Sequence, residues 1–193
     1  MVSTLKKIKS TVAWNAVNIP GWRTGRRIIV IESDDWGSIR MPSHEIYSEF
    51  ISSGFNLTDT AYNRIDTLES NEDLIMLFDV LRSFRDRNGR HPVMTANTIV
   101  GNPDFKKIKD SDFSSYYYEP VTETFQRYPG RDKVEELWKY GNQEGFFHHQ
   151  FHGREHVNIP RWMNALREKS AAIMLAFDRE TTFSGNGDYN FME

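Results

Sequence analysis

The sequence predicts an α/β chain in which parallel strands alternate with helices, arranged like a distorted or incomplete (β/α) barrel. Three observations lead there. A β-branched run, Arg26-Arg27-Ile28-Ile29-Val30-Ile31-Glu32, is short, bounded by charge and reads as a buried strand of the parallel type. Leu74, Leu77, Phe78 and Leu81 recur at helical spacing after it. From there to Lys169 strand-like and helix-like segments take turns, the order expected of βαβ units.

In chain order, residues 1–25 read as an N-terminal arm, partly helical, closed by Pro20, Gly21 and Gly25. The first strand is expected to end at a polar, glycine-containing loop, Ser33-Asp34-Asp35-Trp36-Gly37-Ser38. In α/β folds, loops at the carboxyl ends of parallel strands carry the chemistry. Residues 42–70 are polar and irregular, with one short helix near Glu45–Phe50. A helix is expected over 71–88, capped by Asn71, with Glu72 and Asp73 in its first turn and Gly89 as its stop. Pro92–Thr98 is the second strand candidate, and 101–130 reads as a long aromatic-rich loop, the size of a lid. A helix over Asp132–Gly141 presents Val134, Leu137 and Trp138 on one face. Phe146–Phe151 is the third strand, and Ile159–Lys169 a helix with Pro160 in its first turn. Ala171–Phe177 fits either a fourth strand or a continuation of that helix, and a polar tail follows.

Composition bounds the function. The chain has 193 residues, 38% hydrophobic and 26% charged, which suits one soluble globular domain spanning 1–193. A net charge of -3 offers no electrostatic reason to expect nucleic acid or an acidic membrane as partner. Aromatic residues at 13% suit a large core and equally a sugar-binding cleft. With no cysteine, disulfides, thiolate ligands and cysteine nucleophiles are excluded, so a metal would be held by His, Asp or Glu. Asn15, Asn18, Pro20 and Arg23 interrupt any apolar run after the basic start. Neither a signal peptide nor a membrane span is expected, and a cytoplasmic location is.

Two short segments carry chemistry. Asp34 and Asp35 crowd two carboxylates together after a strand, which is costly unless a cation or a proton intervenes. Neighbours in an extended segment point to opposite sides, so one can ligate a metal while the other acts as base. His152 and His156 lie four apart in His152-Gly153-Arg154-Glu155-His156, a spacing that converges two imidazoles on a helix face or in a tight loop. His148 and His149, just upstream on the strand, point to opposite faces and are read as mostly structural. Both segments follow strands of one parallel sheet and so open at the same edge. Two His and one carboxylate with open positions form a competent catalytic metal site.

These two segments resemble the motifs of the polysaccharide deacetylase, or NodB-homology, family. Glu32-Ser33-Asp34-Asp35-Trp36-Gly37 is similar to its Thr-Phe-Asp-Asp-Gly motif, and His152-Gly153-Arg154-Glu155-His156 to its His-Ser/Thr-x-x-His motif. The resemblance covers residues 26–38 and 146–158. It implies a distorted (β/α) barrel, with Asp34 as catalytic base and Asp35, His152 and His156 holding a divalent ion, zinc above all. The implied activity is removal of acetyl groups from N-acetylated sugars or polysaccharide. Trp36, inserted between the Asp pair and the glycine, is a candidate to stack on a sugar ring. Gly153 stands where the family has a hydroxyl residue. The later Arg-Pro, Asp-Trp and Leu-x-His segments are not found, so the resemblance implies an N-terminal part of such a barrel or a divergent member, with no general acid assigned.

Two other readings compete. His-x-x-Glu-His also fits an inverted zinc peptidase motif, with Glu155 as base on a helix. Gly153 weakens such a helix by about 1 kcal/mol relative to Ala, and Asp178, Glu180 and Asp188 are poorly spaced as a third ligand. A metal-free carbohydrate-binding domain of the same fold is the non-enzymatic alternative. An aspartyl phosphatase needs a second Asp two residues after its nucleophile, which Asp34-Asp35-Trp36 does not supply.

Overall fold

The computed structural model describes residues 2–17, 19–57 and 64–183, which include every candidate site residue but not Asp188 or the glycines of the tail. The described chain divides into two compact units, 1–30 and 31–193. The first holds helix α1 (Val2–Val17), as expected of the arm. No helix among the described residues is long and apolar enough to cross a membrane.

Only the end of the β-branched run, Ile31 and Glu32, belongs to the first strand. Ile28, Ile29 and Val30 lie in the first unit and are exposed, Ile29 at 88%. Strand β1 is Ile31–Trp36 and runs through the acidic pair that was expected to form a loop. A strand needs a pairing partner as well as propensity, and pairing with β2 (Met94–Thr98) begins only at Ile31↔Met94. β2 pairs in parallel with β5 (Phe147–Phe151), giving a three-stranded sheet of order β1-β2-β5. Parallel strands alternating with helices are present, in an open sheet.

One sheet face carries Met94, Ala96 and Phe147, covered by α3 (Asn71–Ser83) and α6 (Val134–Glu144) through Leu74, Phe78, Leu81 and Val134. The other carries Glu32, Asp34, Asn97, His148 and Gln150, of which Asn97 alone is buried. A parallel sheet covered on both faces reads as a continuous apolar run. Here one face is polar, which is why these strands alternate.

Several boundaries move for identifiable reasons. Helix α3 stops at Ser83, where its buried stripe ends, and Gly89 sits in a separate turn closed by Asp86 and Arg90. Ser70, not Asn71, caps it. The Ser70 hydroxyl accepts from Asp73 N, and the Asp73 carboxylate accepts from Ser70 N, a capping box worth about 1 kcal/mol. Asn71 instead ties α3 to α6, donating to Asp132 at 2.8 Å and accepting from Lys133 N at 3.0 Å.

The expected lid is ordered structure. Residues 101–130 contain β3 (Gly101–Pro103), α4 (Phe105–Asp110), β4 (Tyr118–Pro120) and α5 (Val121–Arg127), with β3 and β4 antiparallel. Phe105 and Ile108 are spaced to share a helix face, as are Val121 and Phe125, and all four are buried. Of the aromatic residues that suggested a loop, Phe105, Phe113 and Phe125 are core, whereas Tyr117 and Tyr118 are exposed. Short helix α2 (His44–Ser52) packs Phe50 against Phe55 and Phe183.

Helix α7 (Ile159–Glu168) carries Pro160 in its first turn as read and is capped by Asn158. Ala171–Asp178 is a separate helix, α8, neither strand nor continuation. Lys169, at φ 51°, breaks the chain direction and Ser170 caps afresh. Trp162, Phe105, Phe113 and Phe177 fill the core between α4, α7 and α8.

Candidate metal centre

The sheet register explains how two adjacent aspartates divide. Ser33 pairs with Ala96 and Trp36 with Thr98, so Asp34 and Asp35 together oppose the single residue Asn97. That is a β-bulge, a feature that re-aims side chains. Asp35 takes a left-handed conformation, φ 65°, which Asp tolerates better than most residues. Gly37 follows at φ 86°. A Cβ there would stand 2.8 Å from Val121 Cγ2, so the turn requires glycine. Asn102, 2% exposed, pins this turn by donating to Gly37 O at 2.8 Å and accepting from Ile39 N at 3.0 Å.

Across the sheet, His152 N bonds to Thr98 O at 2.9 Å, carrying the β2–β5 pairing one residue past the strand. Gly153, at φ 113°, then turns the chain, and Arg154 O accepts from Gly101 N at 2.7 Å and from Val100 N at 3.1 Å. The segment 152–156 is therefore a loop anchored on 100–101.

The two loops bring three side chains together. Asp35 Oδ1 lies 3.6 Å from His152 Nε2 and 3.6 Å from His156 Nδ1, and the three ligand atoms all fall within 4.8 Å of one another. Such separations are too long for hydrogen bonds. Two ligands on a tetrahedral zinc, with bonds of about 2.1 Å, stand roughly 3.4 Å apart. Asp35 Oδ1 and His156 Nδ1 are both buried and without a hydrogen-bond partner. Unpartnered polar atoms facing one another are what a shared cation satisfies when the imidazole nitrogen is unprotonated, so the donor set fits a divalent ion such as zinc.

Neighbours hold the carboxylates in place. Arg40, with its side chain 9% exposed, donates from Nη2 to Asp35 Oδ2, which leaves Oδ1 toward the imidazoles, and its Nε lies 3.4 Å from Asp66. Asn97 Nδ2 donates to Asp34 Oδ1 at 2.6 Å and to Glu32 Oε1 at 2.9 Å, fixing Asp34 on the polar face. Trp36 turns its ring edge-to-face onto Phe147, centroids 5.1 Å apart, and packs against the core while also lining the cleft. His148 is exposed. His149 is half-buried against Trp138 and bonded to Thr98 Oγ1 at 2.9 Å; neither belongs to the triad.

A cleft of about 150 Å³ opens here, lined by Asp34, Asp35, Trp36, Asp66 and Glu69. Glu69 accepts from Gly37 N at 3.1 Å, and burial pushes its carboxyl up to about 7 from an ordinary 4.5. The folded state therefore binds a proton that the unfolded state releases. The associated stability is present below about pH 4.5 and is lost as pH rises through 7. Over that window the loss is roughly 3 kcal/mol. Urea unfolding at pH 5 and pH 8 should show this slope, and Glu69→Gln should flatten it. An unaltered slope in the variant would assign it to other groups.

Sequence reasoning located Asp34, Asp35, His152 and His156 but missed Arg40, Asn97, Asp66 and Glu69. Asn97 left one signal, an amide in the interior of a strand near its carboxyl end. Residues 152–156 form a loop and not the helix that the inverted-peptidase reading expected, and Glu155 accepts from Arg154 Nη2 at 2.9 Å. Glu180 is held by Arg127 and Tyr128, and Asp188 lies outside the described residues. Comparison with protein-family models, with curated proteins and with solved structures returned no match.

Proposed function

We propose that this chain is a metal-dependent hydrolase that removes acetyl groups from N-acetylated sugars. The observation that carries this reading is the convergence of Asp35, His152 and His156 beside a second, separately held carboxylate, Asp34. Asp35, His152 and His156 would hold the ion. A divalent cation there supplies Lewis-acid polarisation of a carbonyl and a lowered pKa for water.

The remaining chemistry belongs to the chain. Asp34, exposed on the polar face and oriented by Asn97, accepts the proton of the water that attacks the acetamide carbon. Arg40 keeps Asp35 turned toward the two histidines. Trp36 flanks the cleft, where it would contact a sugar. The three parallel strands, bearing Asp34 and His152 at their carboxyl ends, fit one part of a distorted (β/α) barrel.

Acetate release from chitotetraose by the zinc-supplemented protein, abolished by a chelator and restored by zinc, is the expected result. Binding of the oligosaccharide with no release under any metal would instead identify a carbohydrate-binding domain. Cleavage of peptides without acetate release would defeat the proposal.

A further inference from the structure

We propose that a second subsite beside the metal centre, formed by Arg64, Arg131 and His44, binds the carboxylate of an acidic sugar adjoining the N-acetylated one. This rests on the deacetylase reading of the neighbouring cleft and names the substrate class for it.

A second cleft, of about 260 Å³, is lined by these three residues, and it shares Asp66 and Thr67 with the cleft that holds Asp34 and Asp35. The two are adjoining stretches of one surface. Taken together they reach the lower end of the roughly 300–1,000 Å³ usual for small-molecule sites.

The charge of this cleft is poorly neutralised. Arg131 donates to Leu68 O from Nε at 3.3 Å and from Nη2 at 3.0 Å, and to Pro129 O from Nη1 at 2.6 Å. These acceptors are uncharged carbonyls. They lock the guanidinium plane without cancelling its charge, and a guanidinium with five N–H donors has some left to offer. Glu69 lies in electrostatic reach of Arg131, and burial pushes its carboxyl up to about 7. Arg64 is exposed and makes no ion pair among the described residues. Asp66, the carboxylate in the lining, faces Arg40 at 3.4 Å, and burial raises its pKa.

A pre-oriented guanidinium that lines one cleft with a second is an arrangement that favours a planar carboxylate. A neutral sugar would leave both charges unanswered. The distribution of charge therefore discriminates between substrates: cation and base chemistry at Asp34–Asp35, anion recognition in the adjoining cleft.

The test is calorimetric binding of two tetrasaccharides to the full chain. Chitotetraose is neutral, whereas a hyaluronan tetrasaccharide alternates N-acetylglucosamine with glucuronate. Hyaluronan should bind about tenfold more tightly, equivalent to about 1.4 kcal/mol. The ratio of affinities should fall toward one in Arg64→Ala and below one in Arg64→Glu, which alters an exposed position and so keeps the test clear of folding defects. Equal affinity of the unaltered protein for both, or a preference that survives both substitutions, overturns the subsite. Acetate release without a preference would remove the subsite and leave the deacetylase reading standing. A preference lost on substitution, with no release from either sugar, would keep the subsite and remove the deacetylase.

Discussion

Asp35→Ala should abolish zinc binding. The variant loses the anionic ligand and leaves two imidazoles that were held around it at 3.6 Å. It also frees the Arg40 guanidinium from the Oδ2 bond, so a positive charge with less compensation stands beside the cation position. Both effects act in the same direction. Loss of a mere supporting partner costs about 10–100-fold in metal affinity, so loss of this ligand should exceed roughly 100-fold. Titration calorimetry with zinc measures this directly. Thermal melting gives an independent reading: zinc should raise the melting temperature of the unaltered protein by mass action and leave the variant unmoved. Since Arg40 retains Asp66, the fold should survive, and Asp35→Asn provides a version of nearly unchanged volume. Unchanged zinc affinity in both would remove the metal triad.

Asp34→Asn should separate catalysis from metal binding. Asp34 lies outside the triad, and an amide fills the same space beside Asn97, so zinc affinity should stay as in the unaltered protein. What disappears is a carboxylate able to accept a proton. A positioned general base contributes about 10²–10⁴-fold, and kcat for acetate release should fall by that order with little change in KM. A variant with full turnover would show that another group takes the proton. A variant that also loses zinc would place Asp34 among the ligands.

The paired design of these two substitutions was legible in the sequence only in part. Two adjacent aspartates and two histidines four apart stand out because crowded carboxylates call for a cation or a proton, and two imidazoles at that spacing can converge on a metal. Their division of labour was inferred from the alternation of an extended strand. In the structure the two side chains are parted by another route, a bulge that sets Asp34 and Asp35 against Asn97 and a left-handed turn at Asp35. No periodicity announces a bulge, because it depends on the partner strand's register. Arg40 and Glu69 were missed for a related reason: each reaches the site through tertiary packing, Glu69 from a segment 32 residues beyond Gly37.

Patterns within one element were readable from the chain alone. Leu74, Phe78 and Leu81 mark α3, Val134, Leu137 and Trp138 mark α6, and Pro160 marks the start of α7, since helical spacing is a local property. Which β-branched residues are buried was not readable. Ile28, Ile29 and Val30 have the strongest strand propensity near the site and remain exposed, whereas the polar Ser33-Asp34-Asp35 is strand. Burial and pairing belong to two segments at once, and a single segment carries half of that information. The sequence by itself determined the alternation of helices with parallel strands and the residue types able to hold a metal. Only the tertiary structure decided that Asp35, His152 and His156 meet, because the register of β1, β2 and β5 places loops 117 residues apart at the same edge of one sheet.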